Sequence, residues 1–197
     1  MRLEMMNSRH TQSGFSLLEL LIALVVFSVG LLAVAGLQTV SKQANFEAIQ
    51  RTSAAQVASG LLEDIRTNGD AVGIYSAAGE IGNGSRGNEP APNCRNGNEC
   101  NSAQKATHDL WFWEQAIDGN LESNSGGGTG GLVLPTLCVT GQAGGGAGMY
   151  EVAIVWRGGA SLTSTANVAC GTLTGNYGDN NEFRRVMQVS TYIDPTM

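Results

Sequence analysis

The stretch Ser13-Gly14-Phe15-Ser16-Leu17-Leu18-Glu19-Leu20-Leu21-Ile22-Ala23-Leu24 opens a run that stays apolar through Leu37 and holds one ionisable group, Glu19. At about 1.5 Å per residue, a helix from Phe15 to Leu37 reaches roughly 35 Å, enough to cross a hydrocarbon core of about 30 Å. A helix buried in a soluble core rarely runs so far without a polar stripe. The reading is therefore a transmembrane helix. A cleaved secretory signal has a shorter apolar core and a small-residue cleavage step after it. Here Gln38-Thr-Val-Ser-Lys-Gln-Ala-Asn45 follows, and it holds no Ala-x-Ala.

On the N-terminal side, residues 1–14 are polar, with Arg2 and Arg9 against Glu4. The positive-inside rule places this leader in the cytoplasm and the remainder outside. The bias is weak, because Lys42 and Arg51 lie on the far side. On the C-terminal side the helical pattern continues. Val40, Ala44, Ala48, Ala55, Ala58, Leu62 and Ile65 recur at helical spacing, and Lys42, Glu47, Gln50, Arg51 and Asp64 take the other faces. No proline occurs before Pro90, and Asn68-Gly69 is a stop signal. One helix from Phe15 to Asn68 is expected, roughly 80 Å long.

Composition excludes several classes. The chain of 197 residues carries a formal charge of −6, opposite in sign to what nucleic-acid binding requires. A mean hydropathy of −0.04 excludes a polytopic membrane protein. Only 14% of residues are charged, which argues against a disordered polyelectrolyte. The 27 glycines are about twice the ordinary share and concentrate between residues 119 and 148, in expected loops.

Beyond Asn68, residues 69–100 read as a loop rich in Gly, Asn and Ser. Asn101 to Ile117 reads as a second helix, with Ala106, Leu110, Trp113 and Ile117 at helical spacing, a cap at Asn101 or Ser102 and a stop at Gly119. A glycine tract covers 124–131. Strands are expected at Gly131–Thr140, Met149–Arg157 and Arg184–Ile193; Tyr150, Val152, Ile154 and Trp156 alternate cleanly. The fold class is α+β: a long N-terminal helix on a small antiparallel sheet. The expected organisation is a leader at 1–14, a transmembrane helix at 15–37, its amphipathic continuation at 38–68 and a head at 69–197.

Four cysteines, Cys94, Cys100, Cys138 and Cys170, all lie in the part expected outside the cytoplasm, where an even count suggests disulfides. Three connectivities are open. The favoured one closes a local loop through Cys94–Cys100 and ties the strand region to the segment before the last strand through Cys138–Cys170. The five residues between Cys94 and Cys100 do not suit a zinc site.

Glu19 taken alone is a tolerated interfacial acid, but its context is specific. Gly14, Phe15, an acid four residues after Phe15 and the apolar run resemble the class III signal of type IV pilins and pseudopilins. The resemblance implies cleavage by a prepilin peptidase between Gly14 and Phe15, followed by N-methylation of Phe15. It also implies that Glu19 pairs with the Phe15 amine of a neighbouring subunit during assembly. The helix-breaking proline that major pilins often carry in this stretch is missing. The Leu21–Gln38 helix, the Gln50–Asn68 stretch, Asp109-Leu-x-x-Trp113 and Ile154-Val-Trp-Arg157 look like the PilV-type minor pilins, also called type IV pilus modification proteins. That likeness implies partners: other minor pilins, the major pilin, the inner-membrane assembly platform and the prepilin peptidase. It implies residence in the inner membrane and then at the pilus or cell surface, and a part in adhesion or twitching motility. The rivals are a minor pseudopilin of type II secretion and a pilus-tip adhesin.

No catalytic constellation, cofactor site or metal site is expected. His108 reads as an exposed histidine beside Asp109. Gly126-Gly-Gly-Thr-Gly-Gly131 matches a dinucleotide pattern but does not sit between a strand and a helix. Asn83-Gly84-Ser85 fits a glycosylation sequon without requiring its use, and the acids of 179–182 fit no recognised calcium loop. Trp111-Phe112-Trp113 reads as core filling, with no interleaved basic residues for a nucleic-acid platform.

Overall fold

The computed structural model describes residues 14–95, 97–124, 127–128, 130–162 and 167–196. The leader lies almost wholly outside them, as does part of the glycine tract. The chain forms two compact units, residues 1–44 and 45–197. Helix α1 spans Leu17–Thr67 and contributes to both.

In the first unit every described residue is exposed. Phe15, Leu17 and Leu32 are 87%, 79% and 74% exposed, so the apolar run has no protein cover on any side. A helix apolar all round and uncovered fits lipid or other helices better than water. This stretch is long and apolar enough to cross a membrane.

The second unit begins at Asn45. Its share of α1 buries Gln50, Ala54, Ala58, Leu61 and Ile65. This corrects the expected stripe. Ala58 and Ile65 lie in the core, but Ala55 and Leu62 are only half-buried, and Val40, Ala44 and Ala48 are exposed. The difference turns on Gln50, which the hydropathy pattern assigned to the polar face. Its amide donates to the Gly131 carbonyl (3.1 Å) and accepts from the Val133 N–H (2.9 Å), so both ends are satisfied in the interior.

After α1 the chain does not loop freely. A 3₁₀ turn at Gly69–Ala71 leads into α2, Val72–Ser76, which buries Val72 and Tyr75. This helix falls inside the expected loop; five residues are too few to show a period. Helix α3, Ser102–Asp118, carries a full capping box: Asn101 accepts from the Gln104 N–H, and the Gln104 side chain accepts from the Asn101 N–H. Gly119 ends it in the left-handed region, and a Cβ there would meet the Gly130 carbonyl oxygen at 1.8 Å. A two-residue hairpin follows, β1 (Ser123–Asn124) with β2 (Gly127–Gly128).

The main sheet has the antiparallel order β3 (Thr136–Thr140), β4 (Gly148–Arg157), β5 (Arg184–Ile193). The first strand starts five residues later than expected. Leu134 has φ 48° and Pro135 follows, which ends extended pairing there. Residues 132 and 133 instead hang on the helices: the Leu132 N–H donates to Ile117 O at 2.8 Å, and Val133 binds Gln50.

Alternation divides the sheet into two apolar faces. Leu137, Val139, Tyr150, Val152, Ile154, Trp156 and Ile193 join the α1 residues, and Leu110 and Ile117 of α3, in the main core. Cys138, Ala153 and Val155 on the reverse face join Cys170 and Tyr177 in a second, smaller core. That face is covered by the segment before β5. The Cys138–Cys170 disulfide, across 32 residues of sequence, holds it. Arg184, 4% exposed, donates to the Cys170 carbonyl (2.8 Å) and to Val168 O. Burial depresses the Arg184 pKa, and Tyr177 and Glu80 oppose that shift.

Candidate functional site

The residues expected to take part in processing lie together in one short segment. Gly14, Phe15 and Ser16 precede α1 and are non-helical and exposed. A Cβ on Gly14 would meet nothing within 4 Å among the described residues. Ser16 starts the helix: its carbonyl accepts from the Leu20 N–H (3.2 Å) and its hydroxyl from the Leu18 N–H (3.3 Å). Glu19 sits in the first turn of α1, where the helix dipole favours an acid. It has no hydrogen-bond or ion-pair partner among the described residues. It heads a shallow apolar furrow lined by Leu18, Ile22, Ala23, Val26 and Phe27. A lone carboxylate beside such a furrow is suited to receive a cation from another chain.

The four cysteines are elsewhere and fall into two separate bonds, Cys94–Cys100 and Cys138–Cys170. The first closes a tight loop across 6 residues of sequence. Arg95 leaves this loop to stack on Phe112, 3.6 Å from the ring centroid, and to pair with Asp64 of α1 at 3.0 Å. Asp64 also accepts from the Trp113 indole N–H at 2.8 Å. Lys105 binds Asp109 at 2.6 Å, and the Tyr75 hydroxyl donates to Asp109 at 2.7 Å. Burial pushes the Tyr75 pKa well above its usual range and the Asp109 carboxylate adds to the shift, while the Asn68 amide donor opposes it. These contacts fasten the end of α1, α2 and α3 together.

Sequence reasoning missed a second structural site on α3. Glu114 is fully buried and accepts from the Gly82 N–H (3.1 Å), the Ser85 hydroxyl (2.6 Å) and the Arg86 N–H (2.9 Å). One turn on, Asp118 accepts from the N–H groups of Asn83 (3.0 Å) and Gly84 (2.9 Å). The acidic spacing at 114 and 118 was the available signal, but it usually marks a solvated face. The Asn83-Gly84-Ser85 tripeptide is part of this clasp.

His108 is corrected: it is 1% exposed, not on the surface, and its Nε2 lies 3.3 Å from Glu89. Trp113 packs half-buried against the main core, while Trp111 is half-buried and donates to the Gly87 carbonyl at 3.1 Å. Among the described residues no group of three or more His, Cys, Asp or Glu side chains gathers for a metal ion.

Two family models match this chain. Residues 9–35 match the prokaryotic N-terminal methylation motif, which brackets Gly14, Phe15 and Glu19. Residues 36–111 match the model described as type IV pilin Tt1218, from the middle of α1 into α3. Over residues 36–111 the chain is similar to a type IV pilin. The two matches adjoin at residues 35 and 36, so the exposed apolar helix and the start of the head lie in one uninterrupted region of similarity. No curated protein and no solved structure matches the chain significantly. The exposed apolar part of α1 within these matches is long and apolar enough to cross a membrane.

Proposed function

We propose that this pilin-like chain is a minor pilin of the PilV type, which helps prime and build the type IV pilus. In this reading the prepilin peptidase cuts between Gly14 and Phe15, on the cytoplasmic side of the inner membrane, and Phe15 becomes N-methylated. The head stands outside the cytoplasm, and the processed subunit moves from the bilayer into the pilus with other minor pilins and the major pilin.

One observation carries the proposal. Glu19 is the lone acid of an otherwise apolar, wholly exposed helical stretch, and it falls inside the methylation-motif match. An acid at the centre of a bilayer costs about 2.5–3.5 kcal/mol, less toward the interface. An apolar bundle disfavours it too unless a cation pairs with it. The Phe15 amine of an adjacent subunit is the cation that cleavage creates. The pair therefore sets the axial step, while burial of the apolar surface against like helices drives assembly.

Glu19→Val is expected to leave cleavage at Gly14 largely intact and to impair Phe15 methylation or incorporation into pili. Mass spectrometry of the N-terminal peptide and immunoblotting of sheared pili read these separately. Normal incorporation by the variant would remove the role given to Glu19. The broader function is tested by deleting the gene and scoring surface pili and type II secretion side by side. Lost pili with intact secretion are expected. Intact pili with lost secretion would contradict the proposal.

A further inference from the structure

Two independent observations meet on β5. The first is an open edge. The outer side of β3 is bridged by Ile81, which exchanges hydrogen bonds of 2.9 and 2.7 Å with Leu137. Beyond Arg184, whose N–H donates to the Asn181 carbonyl at 3.0 Å, the outer side of β5 has no backbone partner among the described residues. The strand runs ten residues in unbroken register with β4, without a bulge. From Val186 to Ile193 it holds no proline and no charge. Edges of this length are ordinarily blunted by such features, because their unpaired N–H and C=O groups are a template for another strand.

The second observation lies at the start of that edge. Arg185 is held by Glu47, with Nε donating to Oε2 at 3.3 Å, and by the Ala160 carbonyl at 2.6 Å. Its Nη1 is buried with no partner among the described residues. Directly opposite on β4 stands Trp156, whose indole Nε1 is also buried with no partner among the described residues. Both side chains line a cleft of about 410 Å³ with Ala48, Arg51 and Leu162. The carboxylate at this cleft, Glu47, already accepts from Arg185 and from the Gly159 N–H at 2.8 Å. Donors therefore exceed acceptors here. Buried donors without partners are few in native proteins, and each calls for a reason.

We propose that the outer edge of β5 receives an extended strand from a different protein, one that carries a carboxylate at the Arg185 end and apolar residues on the core-facing side beyond it. The backbone edge supplies the pairing. Arg185 and Arg51 supply the charge preference. Met187 and Val189, half-buried on the face that packs against the main core, supply the apolar flank. A second copy paired through β5 does not meet these needs, since β5 holds two arginines and no acid.

The test uses the full mature chain in detergent micelles. The probe is a blocked ten-residue peptide of alternating valine and threonine with glutamate at both ends; the control peptide carries lysine at both ends. Hydrogen exchange read by mass spectrometry is expected to slow across β5 by about tenfold or more with the glutamate peptide, and to need about tenfold more of the lysine peptide for the same effect. Arg185→Gln should narrow that gap to about threefold or less. If Arg185→Gln does not fold, Arg51→Ala, which removes no side-chain hydrogen bond among the described residues, should narrow the gap as well. Unchanged exchange on β5, equal action of the two peptides, or slowing confined to β3 and Ile81 would overturn the proposal. So would concentration-dependent protection of β5 without peptide, which would mark a second copy as the occupant.

Discussion

Glu114→Ala is expected to destabilise the head by about 3–5 kcal/mol, the range for an emptied buried site that leaves donors unsatisfied. Glu114 is fully buried and gathers the Gly82 N–H, the Ser85 hydroxyl and the Arg86 N–H onto one carboxylate. Alanine removes the acceptors but not the donors, and of these the Gly82 N–H keeps a second acceptor in the Ser85 hydroxyl at 3.3 Å. Glutamine keeps the shape and one carbonyl oxygen, yet its NH₂ would face a donor, so Glu114→Gln should fall between alanine and wild type. Urea unfolding of the detergent-solubilised chain, with disulfides intact, measures the difference. A loss under about 1 kcal/mol for Glu114→Ala would mean that the clasp contributes only what an ordinary exposed contact does.

The second large effect is expected from Cys138→Ala combined with Cys170→Ala. The bond spans 32 residues of sequence, and in the chain-entropy model its removal costs about 3.5–4 kcal/mol. The same change at Cys94 and Cys100, a span of 6, costs about 2–2.5 kcal/mol. The ordering is the test. Loss of Cys138–Cys170 also frees the segment whose carbonyls at 168 and 170 hold Arg184, so limited proteolysis should cut within residues 167–183 well before the rest of the head. Equal sensitivity of the two double variants, or cleavage elsewhere first, would contradict the role given to the second core.

How much of this was legible in the sequence depended on the range of each signal. Helix α1 was readable because its pattern repeats over many turns, and α3 because Asn101, Gln104 and Gly119 are local cap residues that act on their own backbone. Strand β4 was readable from the alternation of Tyr150, Val152, Ile154 and Trp156. The failures are places where a distant group decides. Gln50 is buried because residues 131 and 133 supply its partners, 81 and 83 positions away. Glu114 and Asp118 are enclosed by backbone amides from the 82–86 loop, and backbone amides leave no mark on composition. The short α2 was missed because one turn has no period, and β3 was extended too far because apolar residues 132–134 serve the helices. At the N-terminus the motif is contiguous, so Gly14, Phe15 and Glu19 could be singled out without any tertiary information.

The most direct measurement of the central claim is the N-terminal sequence and intact mass of the protein recovered from cells with a working prepilin peptidase. The account predicts a chain that starts at N-methylated Phe15 and keeps the whole apolar helix. A chain that starts at Met1, or one cut beyond Leu37, would contradict it.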